Sequence, residues 1–205
     1  MDDVLNVLIP ESVANLQLPD PGLVNLYEGL DNRILWVDGE IDISLLEITK
    51  KVMMWNMQDR DIPIKDRIPI KVFIFSPGGC LAETMHACTI FSMSKTPVWT
   101  VNMGIAHSGG FMLLISGHTR FALPYSRAMM HRGSGGAVGT FGQAEDAMKD
   151  YNSQISDMRD FILDHTKISS ATYSRRKDRD SYFSAKEQVQ YGIVDHIVES
   201  LDEII

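Results

Sequence analysis

The chain has 205 residues, of which 44% are hydrophobic and 22% charged, with a formal net charge of −8. That length buries one substantial core and fits one domain better than two, and the acid excess argues against nucleic acid as the main partner, since phosphate binding needs a basic face. No apolar run approaches the roughly 20 residues that span a bilayer, and the opening MDDVLNVLIPES lacks the basic region of a signal peptide, so a cytoplasmic location without membrane partners is expected.

Residues 1–30 are expected to be irregular, because Pro10, Pro19 and Pro21 break any long helix. Arg33–Val37 reads as a short strand closed by a turn at Asp38-Gly39. Ile41–Met57 carries apolar residues at helical spacing, among them Ile43, Leu46, Ile48 and Val52. The charged, proline-containing stretch from Gln58 to Ile70 reads as a surface loop. Lys71–Phe75 is a buried strand by its β-branched and aromatic content, expected to end at Ser76-Pro77-Gly78-Gly79. Helical periodicity resumes over Cys80–Ser94. It contains the only two cysteines, Cys80 and Cys88, whose positions there disfavour a disulfide and are too few for a metal site. Two free, largely buried thiols are expected.

The unit then repeats. Val98–Met103 is a strand, Gly104 a turn, and Ser108–Ser116 a helix apolar nearly all round and hence buried. Short strands follow near Thr119–Ala122 and Ala128–His131. Alternation of apolar strands with helices predicts an α/β fold built on a parallel sheet, with functional residues at the strand-to-helix junctions.

Past His131 the segment Arg132–Gly142 holds five glycines and little to bury. Phe141, Ala144, Met148, Tyr151, Ile155, Met158, Ile162 and His165 then fall at steps of three and four, which predicts a long amphipathic helix with a narrow apolar seam. About 25 helical residues extend roughly 37 Å. Such a helix either projects to pack on another subunit or folds back on its own domain, and periodicity alone leaves both open.

Chemistry concentrates at two junctions. In Gly104-Ile105-Ala106-His107-Ser108-Gly109-Gly110 a serine enters a helix straight from a strand among small residues, a turn that exposes its hydroxyl and lets a substrate carbonyl approach the backbone. Free N–H groups at the helix start could stabilise an oxyanion, and Ser76-Pro77-Gly78-Gly79 would supply a second donor. Taken singly, each junction is better explained as a turn with an N-cap serine. A nucleophilic serine needs a base and the base an orienting acid. Of six histidines, His86 lies mid-helix, His107 adjoins the serine so that the side chains diverge, His118 sits in a turn, and His165 and His196 suit structural or surface roles. His131 ends an apolar strand just before the glycine-rich segment, where its ring reaches the cleft. Spacing does not choose the acid among Asp178, Asp180 and Asp195.

From about Asn32 to Asp195 the chain resembles the Clp protease proteolytic subunit family of serine peptidases. The resemblance is carried in order by SPGG (76–79), GIAHSGG (104–110), RFALPYSRAMMH (120–131), GG (135–136), HT (165–166), DRD (178–180) and FSAKEQVQYGIVD (183–195). It implies Ser108 as nucleophile, His131 as base and Asp180 as orienting acid. The oxyanion donors would be the N–H groups of Gly79 and Gly109, and an extended peptide would lie along Gly78, Arg132, Gly133, Ser134, Gly135 and Gly136, paired by backbone hydrogen bonds.

The implied fold is crotonase-like, with repeated strand-strand-helix units. Residues 1–30 would form an axial entrance segment and 31–205 a single peptidase domain, whose strand and helix at about 132–166 form the handle that interlocks two heptameric rings into a tetradecamer. The resemblance further implies unfolded proteins and peptides as substrates, an AAA+ Clp ATPase as possible partner, and no cofactor or metal in this subunit, ATP being consumed by the partner.

The chain also departs from the family. Gly109 replaces the usual methionine after the nucleophile, and Arg132-Gly133 follows the base in place of QP. The turn before Arg120 is shorter and the loop from Asn56 to Ile70 longer. Lys71 and Phe73 stand where the family often has two tyrosines in an ATPase-docking cleft, and a positive charge there would weaken docking of an apolar anchor. Two other readings compete. An acyl-CoA enzyme on the same scaffold would use the paired N–H groups without needing the serine–histidine pair, and a structural or regulatory ring paralogue would typically lack a triad member, which this chain does not.

Overall fold

The computed structural model describes residues 20–205. The expected entrance segment 1–30 therefore lies mostly outside the described residues. Its last part is not irregular but a helix, α1 (Pro21–Asp31), with Asp20 as N-cap accepting from the Gly22 N–H at 2.8 Å. Pro21 starts this helix rather than breaking one, because the first helical position needs no N–H acceptor and suits the fixed φ of proline. The described residues fall into two units that divide after Asn32, and the second, 33–205, carries all that follows.

The second unit is α/β. Its elements are β1 (Ile34–Ile41), α2 (Leu45–Gln58), β2 (Ile70–Gly79), α3 (Leu81–Met93), β3 (Val98–His107), α4 (Gly109–Ile115), β4 (Thr119–Ala122), β5 (Arg127–Met130), α5 (Phe141–His165), α6 (Ser170–Arg176), β6 (Ser181–Ser184), α7 (Ala185–Gln190) and β7 (His196–Ile197). The strand order β1-β2-β3-β4-β7 is parallel throughout. Ile70, Val72, Ile74, Val98 and Val101 are completely buried, as expected of central parallel strands covered on both faces. Each contributes on the order of 1.5–3 kcal/mol by leaving water. Helix α4 is buried at all seven positions, as its all-round apolar sequence predicts.

Three expected turns turn out to be strand. The Asp38-Gly39 step is an irregularity inside β1, where pairing passes from Asp38↔Phe75 to Glu40↔Gly78. The SPGG segment extends β2 to Gly79, with Pro77 falling where the β1 ladder skips from Phe75 to Gly78 and past the last β3 pair at Ser76, the place a residue without an N–H is tolerated. Gly104 lies inside β3, and a Cβ there would come 2.6 Å from the Phe75 ring, so close packing explains the glycine. Cys80 corrects another expectation: both thiols are free, but only Cys88 is buried and Cys80 is exposed.

The strand that shapes the site is β3. Its first half pairs with β4 through Trp99–Asn102, and its second half pairs with β5 through Ile105–His107. Strand β5 is joined on its far side by antiparallel β6. Asn102, completely buried at the parting of β4 and β5, satisfies the groups that the fork strands. Its amide donates to the Arg127 carbonyl at 3.0 Å and to Gln188 Oε1 at 3.1 Å, and its Oδ1 accepts the Gly104 N–H at 3.1 Å. A buried polar network of this kind fixes one geometry when every member is paired.

Helix α5 begins with a capping box between Thr140 and Gln143 and runs 25 residues, the length the periodicity predicts. Its seam divides. Ile155, Met158 and Ile162 are buried, whereas Phe141 is 86% exposed and Met148 41%. The expected strand at 133–140 has no pairing partner among the described residues and is not a strand. Its glycine-rich backbone lies open.

Candidate active site

Ser108 sits between β3 and α4 with φ 52° and ψ −115°, a conformation that costs a non-glycine residue on the order of 1–3 kcal/mol. Two bonds hold it there. Its N–H donates to the Met129 carbonyl on β5 at 2.9 Å, and its carbonyl accepts the Met112 N–H of α4 at 3.2 Å. The neighbouring backbone approaches closely, since a Cβ on Gly78, whose φ is 100°, would stand 2.6 Å from Ser108 Cβ and 2.8 Å from the Gly109 nitrogen. Only glycine allows that approach.

His131 follows β5 directly and brings Nε2 to 2.7 Å from Ser108 Oγ, so a proton on Nδ1 leaves Nε2 as acceptor for the hydroxyl. Of the three candidate acids, Asp195 is committed elsewhere. Its carboxylate takes the Arg120 guanidinium at 2.7 and 3.1 Å and the Arg120 N–H at 2.8 Å. Burial works against its charge, but the Arg120 contacts prevail and hold it below the usual carboxylate range. Asp178 stands 3.7 Å from Arg132 Nη1. Asp180 is the candidate acid beside His131, with Oδ1 3.9 Å from its Nδ1. That separation is too long for a hydrogen bond, and the Asp180 side chain is 58% exposed against 23% for His131.

The amide of Cys80 is spent on the Ile41 carbonyl at 2.9 Å. The Gly79 nitrogen stands close to Gly109, whose Cβ position would lie 3.5 Å from it. Gly109 opens α4, where N–H groups lack an intrahelical acceptor. Both expected oxyanion donors therefore border one cavity of about 340 Å³, together with Ser108, His131, Gly133 and Ser134. Of the remaining expected peptide-binding residues, Gly78 packs under the serine, Gly135 against Tyr151, and Gly136 and Arg132 stand in the open.

The apolar wall was not foreseen in the sequence. It comes from Phe111 and Met112 of α4, Met130 of β5 and Ile155, Met158 and Ile162 of α5. Their helical spacing signalled burial, not the surface they bury against. Thr84 was missed as well, and a Cβ on Gly109 would meet its Oγ1 at 2.6 Å. Of the other histidines, His118 lies in its expected turn, where its Nδ1 accepts the Val98 N–H at 3.0 Å, His165 stacks on Phe161, and His196 packs at a tilt against Phe121. Lys71 is partly exposed, while Phe73 is buried against Trp36 with ring centroids 4.8 Å apart.

A strained serine at a strand-to-helix turn, an imidazole within hydrogen-bond reach and two backbone amides on one side of it make up the arrangement of a serine-type hydrolase on an α/β sheet. The chain belongs to the Clp protease family, whose sequence model matches residues 23–201, and family membership brings the crotonase-like fold and the serine-peptidase class with it. The chain is 30% identical to the ATP-dependent Clp protease proteolytic subunit 2 of Corynebacterium diphtheriae over 95% of this chain and 94% of the relative. It is 33% identical to the proteolytic subunit 1 of Frankia casuarinae over 85% and 81%, and 32% identical to the proteolytic subunit 1 of Streptomyces avermitilis over 85% and 79%.

Proposed function

We propose that the chain is the serine endopeptidase subunit of a self-compartmentalising, ATPase-assisted cytoplasmic protease that degrades unfolded proteins and peptides through Ser108, His131 and Asp180. The observation that carries this reading is the 2.7 Å separation of Ser108 Oγ and His131 Nε2. Ser108 Oγ attacks the scissile carbonyl as His131 takes its proton, and the oxyanion falls to the Gly79 and Gly109 N–H groups. His131 then protonates the leaving amine, and water repeats the sequence in reverse to free the acid. Asp180 stabilises the imidazolium and tightens on it when substrate excludes water, since catalytic hydrogen bonds are often long before substrate binds.

Substrate backbone would pair with the open glycine-rich segment at 133–136, which explains broad acceptance of sequences, because a peptide held by its main chain is not read by its side chains. The exposed half of the α5 seam, Phe141 and Met148, supports packing between rings, with two heptamers forming the particle. The relatives' names, with their "ATP-dependent" and "proteolytic subunit", support a Clp ATPase as partner.

Fluorophosphonate labelling, peptide cleavage and native mass on one sample test the reading. A heptamer or tetradecamer that labels at Ser108 and cleaves short peptides is expected, and labelling that persists in Ser108→Ala would overturn it.

A further inference from the structure

His107 precedes the nucleophile and takes no part in the chemistry above. It nonetheless lies on the same face of the sheet as the base and the acid. His107 pairs with Met129 across β3 and β5, and Met129 with Tyr182 across β5 and β6, so the three side chains share one cross-strand row. Two residues along from Met129 is His131, and two back from Tyr182 is Asp180, the alternation that returns a side chain to the same face. The His107 ring stands edge-on to Tyr182, with centroids 5.5 Å apart and an interplanar angle of 83°.

Two unmet needs coincide here. His107 Nε2 is buried with no hydrogen-bond partner, a cost normally avoided. Among the described residues no donor reaches the Asp180 carboxylate, whose nearest approach to His131 is 3.9 Å. A carboxylate has two oxygens and serves two donors at once.

We propose that His107 is a positioning residue that holds one oxygen of the Asp180 carboxylate through Nε2–H, while His131 takes the other. The inference rests on the catalytic reading given above. The titratable groups on this face are Asp180, Tyr182 and His131. Burial holds the His107 imidazole below its usual range, and the Asp180 charge pulls it partly back. His107 therefore stays neutral near pH 7 and offers a donor without adding a second positive charge beside the His131 imidazolium. Anchored on both sides, Asp180 keeps its charge on His131. Released, it returns to solvent.

The test compares His107→Phe, which keeps a ring on Tyr182 but no donor, with His107→Gln, which keeps an N–H at similar reach. His107→Phe should lower kcat on a short peptide about tenfold, the size of one hydrogen bond to a charged group, with KM changed less. The acid limb of kcat/KM should move to lower pH, because a loosened Asp180 stabilises the imidazolium less. His107→Gln should recover most of kcat, and His107→Phe added to Asp180→Asn should cost nothing further. Equal losses in the Phe and Gln variants, an unmoved acid limb, or additivity with Asp180→Asn would each overturn the proposal. NMR of isotope-labelled imidazoles in the unmutated protein gives a second readout that survives a variant failing to assemble, with the Nε2–H tautomer expected and the Nδ1–H tautomer contradicting it. An unmutated protein that neither labels with fluorophosphonate nor cleaves peptide would instead remove the catalytic reading itself.

Discussion

Ser108 donates its N–H to the carbonyl of Met129 at 2.9 Å, and that bond joins the strand leading into Ser108 to the strand leading into His131. It forms only because β3 leaves β4 after Asn102 and continues along β5. The separation of Ser108 from His131 is therefore set by sheet pairing, while Asp180 arrives on the segment ahead of β6 with no such tie.

That difference should appear in kinetics. Ser108→Ala and His131→Ala are expected to remove peptide cleavage almost completely, by on the order of 10⁶ in kcat, and Asp180→Asn to cost one to two decades less. Single-turnover rates on a fluorogenic peptide check the order, and an Asp180→Asn loss equal to that of Ser108→Ala would contradict it.

Gly109 is the second expectation. Replacing glycine near a helix start by a better helix former ordinarily gains about 1 kcal/mol, but a Cβ here meets Thr84 Oγ1 at 2.6 Å and Ile41 Cδ1 at 3.0 Å. Gly109→Met, which restores the family's usual residue, should therefore lower both melting temperature and activity. Gly109→Met combined with Thr84→Ala should regain much of each, as scanning calorimetry and peptide cleavage would show.

Arg33 and Asp59 give a pH dependence. Asp59 is 2% exposed, takes Arg33 Nη2 at 2.7 Å and the Thr96 hydroxyl at 2.9 Å, and is held below the usual carboxylate range by the Arg33 hydrogen bonds against the opposing effect of burial. A carboxylate with a lowered folded value stabilises the fold above its unfolded value of about 3.9 and loses that contribution as pH falls through the folded one. Asp59→Asn should cost about 3 kcal/mol at pH 7, because it strands a part-buried guanidinium. The deficit should shrink toward pH 3 in urea titrations.

The divided seam of α5 yields the last expectation. Phe141→Glu with Met148→Glu alters only exposed apolar positions, so circular dichroism should be unchanged while sedimentation shifts to a smaller particle. Unchanged sedimentation would place the interface elsewhere.

Much of this was legible in the sequence. Helix α5 was readable to its last residue, because an exposed amphipathic helix must show its period, and so was the burial of α4. The ends of β1, β2 and β3 were not. Glycine and proline normally punctuate, yet Gly39, Pro77, Gly79 and Gly104 lie inside strands here, kept by ladder irregularities and by backbone approaches that local pattern does not encode. The meeting of Ser108 with His131 was readable as a constellation. The 3.9 Å gap to Asp180 and the buried nitrogen of His107 arise from cross-strand register, which no single segment contains.

The two cysteines differ in a way that gives the experimenter a native reporter. Burial pushes the Cys88 thiol up to about 12, so it stays protonated and unreactive at neutral pH. Cys80 is exposed on the rim of the cavity beside Gly79 and Ser108. A thiol-reactive dye should thus attach once per chain, at the mouth of the cleft, without an engineered residue. Its brightness would follow occupancy by an inhibitor in real time.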